Sequence, residues 1–155
     1  DRVFAFGVGP SISLINLLEI RLTRLGRLVV PITTAGREML EPMLLMKKND
    51  LLIAYGFFSL SPYLQLILEH ASHRKTQIIL ITDTLGPLVG GLASVVLAAP
   101  RGPISSFHSL TVPMSITNAL LLELSAVEEE KVLNNLDELD QLRQRLAQSV
   151  YDSSK

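Results

Sequence analysis

The chain has no cysteine, which excludes disulfide bridges and thiolate chemistry and is compatible with the reducing cytoplasm, the compartment expected for it. It also lacks a basic excess. Fourteen Lys and Arg stand against fifteen Asp and Glu, for a formal charge of -1. Bulk attraction to nucleic acid or to an anionic membrane needs a positive stripe that is missing here, so the chain by itself is expected to grip neither. Between Gly102 and Leu122 there is no Asp, Glu, Lys or Arg. That gap invites a membrane reading, but Pro103, Pro113 and the many Ser and Thr residues argue for a buried loop leading into a core helix. No signal-peptide pattern opens the chain and its first residue is Asp1, so a domain cut from a longer protein is expected. Metal-ligand spacing is nearly absent as well. His70 and His73 lie three apart, yet Ser72, Arg74 and Lys75 beside them mark a solvated helix face. Neither a metal nor a cofactor is expected.

What is present suffices for one domain: 155 residues, 48% of them hydrophobic. Arg2 to Phe6 is a short apolar strand. It ends in Gly7-Val8-Gly9-Pro10-Ser11, after which Ile12, Ile15, Leu18, Leu22 and Leu25 recur at helical spacing up to Gly26. Leu28 to Val30 predicts a second strand and Glu38 to Lys48 a second helix, with Met39, Met43 and Met46 as gap-filling core residues. Leu51 to Tyr55 with Tyr63 to Arg74 makes a third strand and helix. Gln77 to Thr82 is the near-continuous apolar run of a strand buried on both faces, and Val95 to Ala98 supplies a fifth strand. Strands alternating with helices imply right-handed crossovers and a parallel sheet. The fold class is therefore α/β, a three-layer α/β/α sandwich around a five-stranded, doubly wound parallel sheet, with one long helix from Leu110 onward. Residues 1–126 form the sandwich and residues 127–155 a helical extension of the same domain. Along that extension Val132, Leu136, Leu139, Leu146 and Val150 keep a 4-3 spacing broken by Arg143, which fits either packing on the parent domain or a dimer-forming helix.

In an open parallel sheet, ligands sit beyond the carboxyl ends of the strands, and three turns reach that edge. In Gly7-Val8-Gly9-Pro10-Ser11-Ile12-Ser13 the glycines allow close backbone approach and a serine can cap a helix or donate to an anion. It is not a dinucleotide fingerprint, because Ile12 stands where the third glycine belongs and no acidic residue follows the second strand. In Ser59-Leu60-Ser61-Pro62, Ser61 is placed as N-cap and Pro62 as the first helical residue. The third turn is Ile81-Thr82-Asp83-Thr84-Leu85-Gly86-Pro87-Leu88, where Thr82 and Asp83 end a central strand and can orient a ligand or cap a turn.

Strand-Gly-Val-Gly-x-Ser, the Leu51 to Ser61 segment, the run Ile78 to Leu88, and the helix opening Phe107-His108-Ser109-Leu110-Thr111 occur in an order that resembles a sugar isomerase (SIS) domain over about residues 2 to 125. Within that superfamily, Phe107 to Leu124 is most similar to the effector domain of RpiR-type transcriptional regulators. The resemblance implies a non-catalytic domain that senses a phosphorylated sugar or a related small metabolite. It further implies a homodimer, and contact with DNA only through a helix-turn-helix domain outside this chain. The family's phosphate loop reads Ser-x-Ser-Gly-x-Thr or Ser; the corresponding positions here are Gly56, Phe58, Ser59 and Ser61. The implied ligand-binding set is Gly9, Ser11, Ser59, Ser61, Thr82, His108 and Ser109. Aldose-ketose isomerisation would need a carboxylate or histidine near the sugar. Between Arg101 and Thr111 there is no carboxylate, and His108 is the one imidazole. A sugar-phosphate isomerase or lyase is therefore the alternative, and a dimerisation module with a degenerate pocket, filled by Phe57 and Phe58, is a third.

Overall fold

A computed structural model describes residues 2–89, 91–103 and 107–152. Five strands, β1 (Arg2–Phe6), β2 (Leu28–Ile32), β3 (Leu51–Gly56), β4 (Gln77–Thr82) and β5 (Val95–Ala98), form one sheet in the order β2-β1-β3-β4-β5. Every neighbouring pair is parallel. Because side chains alternate across a strand, each strand feeds two cores. Phe4, Phe6, Leu52, Ala54, Ile78 and Leu80 point to one face, and Val3, Ala5, Ile53, Tyr55 and Ile81 to the other. The first face is covered by α3 (Pro62–His73) through Leu64, Ile67, Leu68 and Ala71, together with the short α2 (Leu40–Leu44). The second face is covered by α1 (Ile12–Arg24), through Leu14, Ile15, Leu18 and Leu22, and by α4 (Thr111–Val127). This is the expected three-layer sandwich.

Two helices depart from the sequence expectation. The second is not a helix from Glu38 to Lys48 but a 3-10 turn at Arg37–Met39 followed by α2 alone. Carbonyls in and just after α2 close three-residue turns, as Met43 O does with the Met46 N–H (3.1 Å), and take side-chain donors from neighbours. The His70 imidazole N–H donates to Met43 O (2.9 Å), Arg74 Nε donates to Met46 O (2.8 Å), the Thr76 hydroxyl donates to Lys47 O (2.9 Å), and Arg2 donates to Leu45 O. The long C-terminal helix is likewise two helices, α4 and α5 (Glu129–Asp152), with a break at Glu128. There the Glu128 carboxylate pairs with Arg27, and Asn135 lies close over Gly26. The chain turns to bring Val132 and Leu136 onto the α1 and α4 core. Among the described residues, no helix is long and apolar enough to cross a membrane.

Asp50 ties three elements together at the amino ends of the strands. It accepts from the Arg2 N–H (2.9 Å), the Lys47 N–H (2.9 Å) and the Arg2 guanidinium (2.7 Å), and its own carbonyl receives the Gln77 N–H (3.2 Å). Burial opposes its charge, yet the hydrogen bonds from Arg2 and Lys47 outweigh that and hold the carboxyl below its ordinary value. A depressed folded-state value means stability that is present above the ordinary carboxylate range and lost as pH falls through the lower, folded value. Asp50→Asn is expected to cost about 1 kcal/mol at neutral pH. It should also flatten the acid limb of a plot of melting temperature against pH below about pH 4, as followed by circular dichroism.

Candidate functional site

The strand order reverses between β1 and β3: β2 lies on one side of β1, and the chain then crosses to β3 on the other. Loops leaving such a pair diverge and open a crevice at their carboxyl ends. After β1, Gly7 leaves room for Ser11, whose Cβ would lie 3.1 Å from a Cβ at that glycine, and Gly9 takes the left-handed region at φ 60. Ser11 is buried at the start of α1. After β3 the chain bends through Phe58, which sits at φ 70, an uncommon conformation for a bulky residue. The bend is held by Asp83 across the crevice, whose two oxygens accept the Phe58 N–H at 3.0 and 3.2 Å. Ser61 then caps α3, its Oγ accepting the Leu64 N–H at 3.2 Å with Pro62 at the first helical position. That bond uses an oxygen lone pair and leaves the hydroxyl proton available.

These loops enclose a cavity of about 200 Å³ lined by Ser11, Ser59, Ser61, Phe57, Tyr55 and Arg101, among others. Arg101 is the residue that sequence reasoning did not include in the site. It follows β5 by three positions, and its side chain is only 12% exposed. The guanidinium stacks 4.2 Å from the centre of the Phe57 ring. One terminal nitrogen donates to Asp83 at 3.2 Å. Its Nε is buried and has no hydrogen-bond partner among the described residues. A buried, unpartnered N–H of a cation is costly to leave unmet, and this one belongs to a residue lining the cavity. The one sequence signal was the ending of the last apolar strand in Pro100-Arg101, immediately ahead of the charge-free stretch.

Asp83 also accepts the Thr84 N–H at 2.8 Å. Burial opposes its ionisation, but the bonds from the Phe58 and Thr84 N–H groups and from Arg101 prevail and keep the carboxyl below its ordinary value. One carboxylate thus fastens together the loops that follow β3, β4 and β5. At the cavity floor, Tyr55 is buried and its hydroxyl lies 2.7 Å from Thr117 Oγ1 of α4. The Thr117 hydroxyl donates to Pro113 O at 2.8 Å, so the phenol is the donor in the Tyr55–Thr117 bond. Burial pushes the phenol up to about 12, and it stays protonated.

Of the seven residues expected at the site, Ser11, Ser59 and Ser61 meet in the cavity lining. The other four lie outside that lining. Gly9 is in the same loop, between Val8 and Pro10, which do line it. Thr82 is buried and its Oγ1 accepts the Leu85 N–H at 3.3 Å, capping the turn after β4. His108 is exposed, with its ring centre 6.5 Å from that of Phe58. Ser109 donates to Thr111 Oγ1 (2.8 Å), accepts the Thr111 N–H (3.1 Å), and gives its own N–H to Arg101 O (3.2 Å). It therefore braces Arg101 from outside. A larger cavity of about 280 Å³ lies at the opposite, amino end of the strands. Its walls are aliphatic, and the arginines at its rim, Arg2 and Arg27, are paired with Asp50 and Glu128. It lacks the convergent polar groups that mark a recognition site. Among the described residues no group of three or more His, Cys, Asp or Glu is placed to hold a metal ion.

The sheet order and the crevice at its switch point, with three serines lining its cavity, define an α/β domain of the doubly wound class. The chain belongs to the SIS domain family, which it matches over residues 1–123. Among solved structures it is similar to the sugar isomerase domain of an RpiR transcription factor from Sphaerobacter thermophilus, at 24% identity and a TM-score of 0.82, with 91% of this chain and 79% of that one covered. It is also similar to the Vibrio vulnificus NanR protein complexed with ManNAc-6P, at 20% identity and a TM-score of 0.74 over 93% of this chain and 55% of that one. The protein c3406 of E. coli CFT073, in complex with A5P, aligns at 17% identity and a TM-score of 0.66, covering 83% of this chain and 71% of that one. At these identities the likenesses establish the fold. No curated protein sequence matches the chain significantly.

Proposed function

We propose that this SIS domain is a non-catalytic sensor of a phosphorylated sugar or a closely related anionic metabolite, serving a cytoplasmic transcriptional regulator whose DNA-binding domain lies outside this chain. The observation that carries the reading is the composition of the cavity at the β1 and β3 ends. Three serines and the unmet Nε of Arg101 supply donors for an anion, while among the described residues no carboxylate or imidazole lines the cavity to move a proton. Ser11, Ser59 and Ser61 hold the anion together with Arg101. Gly9, Thr82, His108 and Ser109 contribute through the loops that shape the rim. Phe57 and Tyr55 offer ring faces to the sugar. The regulator and the ManNAc-6P complex among the structural relatives support this reading by analogy.

Titration calorimetry tests it, with hexose 6-phosphates, N-acetylhexosamine 6-phosphates and pentose 5-phosphates each compared with the unphosphorylated sugar. At least one phosphosugar is expected to bind, at least tenfold tighter than its neutral counterpart. NMR of the same mixtures should show no interconversion of sugars over hours. Absence of binding by every phosphosugar overturns the sensor reading, and turnover would instead establish the isomerase alternative.

A further inference from the structure

We propose that the amino edge of the sheet carries a basic patch that lies against the phosphate backbone of duplex DNA. The inference rests on the reading of this domain as part of a transcriptional regulator. The formal charge of -1 averages over an uneven distribution. Residues 1–122 carry ten Lys and Arg against seven Asp and Glu, a net of +3, and residues 123–155 carry four against eight, a net of -4. Parallel strands all begin at one edge, so loops distant in sequence meet there. The loop before β3 brings Lys47 and Lys48, and the loop before β4 brings Arg74 and Lys75. The two loops are fastened together. Arg74 Nε donates to Met46 O (2.8 Å) and the Thr76 hydroxyl donates to Lys47 O (2.9 Å). All four cationic residues are exposed, and none has a carboxylate partner among the described residues. Asp50, the one carboxylate in either loop, has both oxygens engaged by Arg2 and the Lys47 N–H.

Lys75 supplies a second, independent observation. It follows α3 in the left-handed region, at φ 58, a position that glycine usually fills. Its backbone therefore does not favour a lysine, and an exposed ammonium adds nothing to the core. A role for the charge accounts for the strained residue. Beside these loops Arg2, Lys47 and Lys48 border a depression of about 380 Å³, wide enough to admit a phosphate group. Neither loop holds a Phe, Tyr or Trp to stack on a base. The patch therefore meets charge and not sequence, and a duplex backbone presents charge at regular, close spacing. β1 opens at this same edge, so a DNA-binding domain attached ahead of Arg2 emerges beside the patch. The serine-lined cavity lies at the other end of the strands, and the two ligands do not compete for space.

Fluorescence anisotropy of a labelled duplex of mixed sequence, with the full chain added at several salt concentrations, tests the patch. Binding is expected at about 10 to 100 µM in about 50 mM salt, with log affinity falling against log salt at a slope of about -3 to -4, near one for each cation. Lys47→Glu with Lys48→Glu should weaken it at least tenfold. Lys75→Gly should weaken it at least twofold and shrink the slope by about 1, while the melting temperature holds or rises because glycine suits φ 58. Arg143→Gln with Arg145→Gln, remote on α5, should change affinity less than twofold. No binding at about 300 µM chain in the same salt, indifference to the lysine changes, or an equal loss from the α5 pair would each overturn the proposal. So would equally tight binding of polyglutamate or of phosphatidylserine vesicles. Phosphosugar is left out of every arm. A chain that binds phosphosugar but not DNA keeps the sensor reading and loses this one, and the converse result does the reverse.

Discussion

Arg101→Met is expected to weaken phosphosugar binding tenfold to a hundredfold, read by calorimetry against the wild type. The size follows from losing at least one hydrogen bond from a cation to an anion in a buried place, about 1.5 to 3 kcal/mol. Methionine keeps a flexible apolar chain over the Phe57 ring, so packing is largely preserved. Asp83 also retains the Phe58 and Thr84 N–H groups that hold its loops. Melting temperature should therefore move far less than affinity. Arg101→Lys should rescue poorly, since an ammonium has neither the planar face that stacks on Phe57 nor an N–H at the buried Nε position. Because Asp83 is held below the ordinary carboxylate range, its pairing with Arg101 stays intact from pH 5 upward. Affinity in that range should then follow the second ionisation of the ligand phosphate, near pH 6. Unchanged affinity in Arg101→Met would remove Arg101 from the site.

The second large effect concerns Gly56, where the family pattern places a serine. A Cβ there would lie 2.2 Å from Cδ2 of Leu64, a buried residue of α3. Gly56→Ser should accordingly destabilise the fold by about 1 to 3 kcal/mol, lowering the melting point by roughly 3 to 10 °C for a chain of this size. It should not improve phosphate binding. Leu64→Ala removes the clashing atoms at its own cost. The double variant is thus expected to lose at least 1 kcal/mol less than the two single changes added together. Strict additivity would show that the close approach is relieved elsewhere.

The Gly56 case also explains which parts of the molecule were legible beforehand. β1 and β4 begin and end where their apolar runs do, because a strand covered on both faces is hydrophobic along its whole length; the edge strand β5 also matches its apolar run, although it is largely exposed. Ser61 was placed as a cap by its proline neighbour, a local rule needing no partner from elsewhere. The misread features are those decided at a distance. α2 stops early because Arg2, His70, Arg74 and Thr76 take up carbonyls in and just after it. The break at Glu128 follows from Arg27, more than a hundred positions away in the chain, inside a segment of good helix formers. Arg101 joins the cavity only because β5 pairs with β4 and returns it beside Asp83. Nothing in the spacing between those two residues announces the contact.

The hydroxyl order at the cavity floor has one more consequence. Thr117 spends its proton on Pro113, so Tyr55 must spend its own on Thr117, and the phenolic oxygen faces α4, not the opening. Whatever enters the cavity meets in Tyr55 a group whose one proton is already committed. Recognition at that level is a matter of contour, favouring the carbon-rich face of a ring over its hydroxyl-bearing edge.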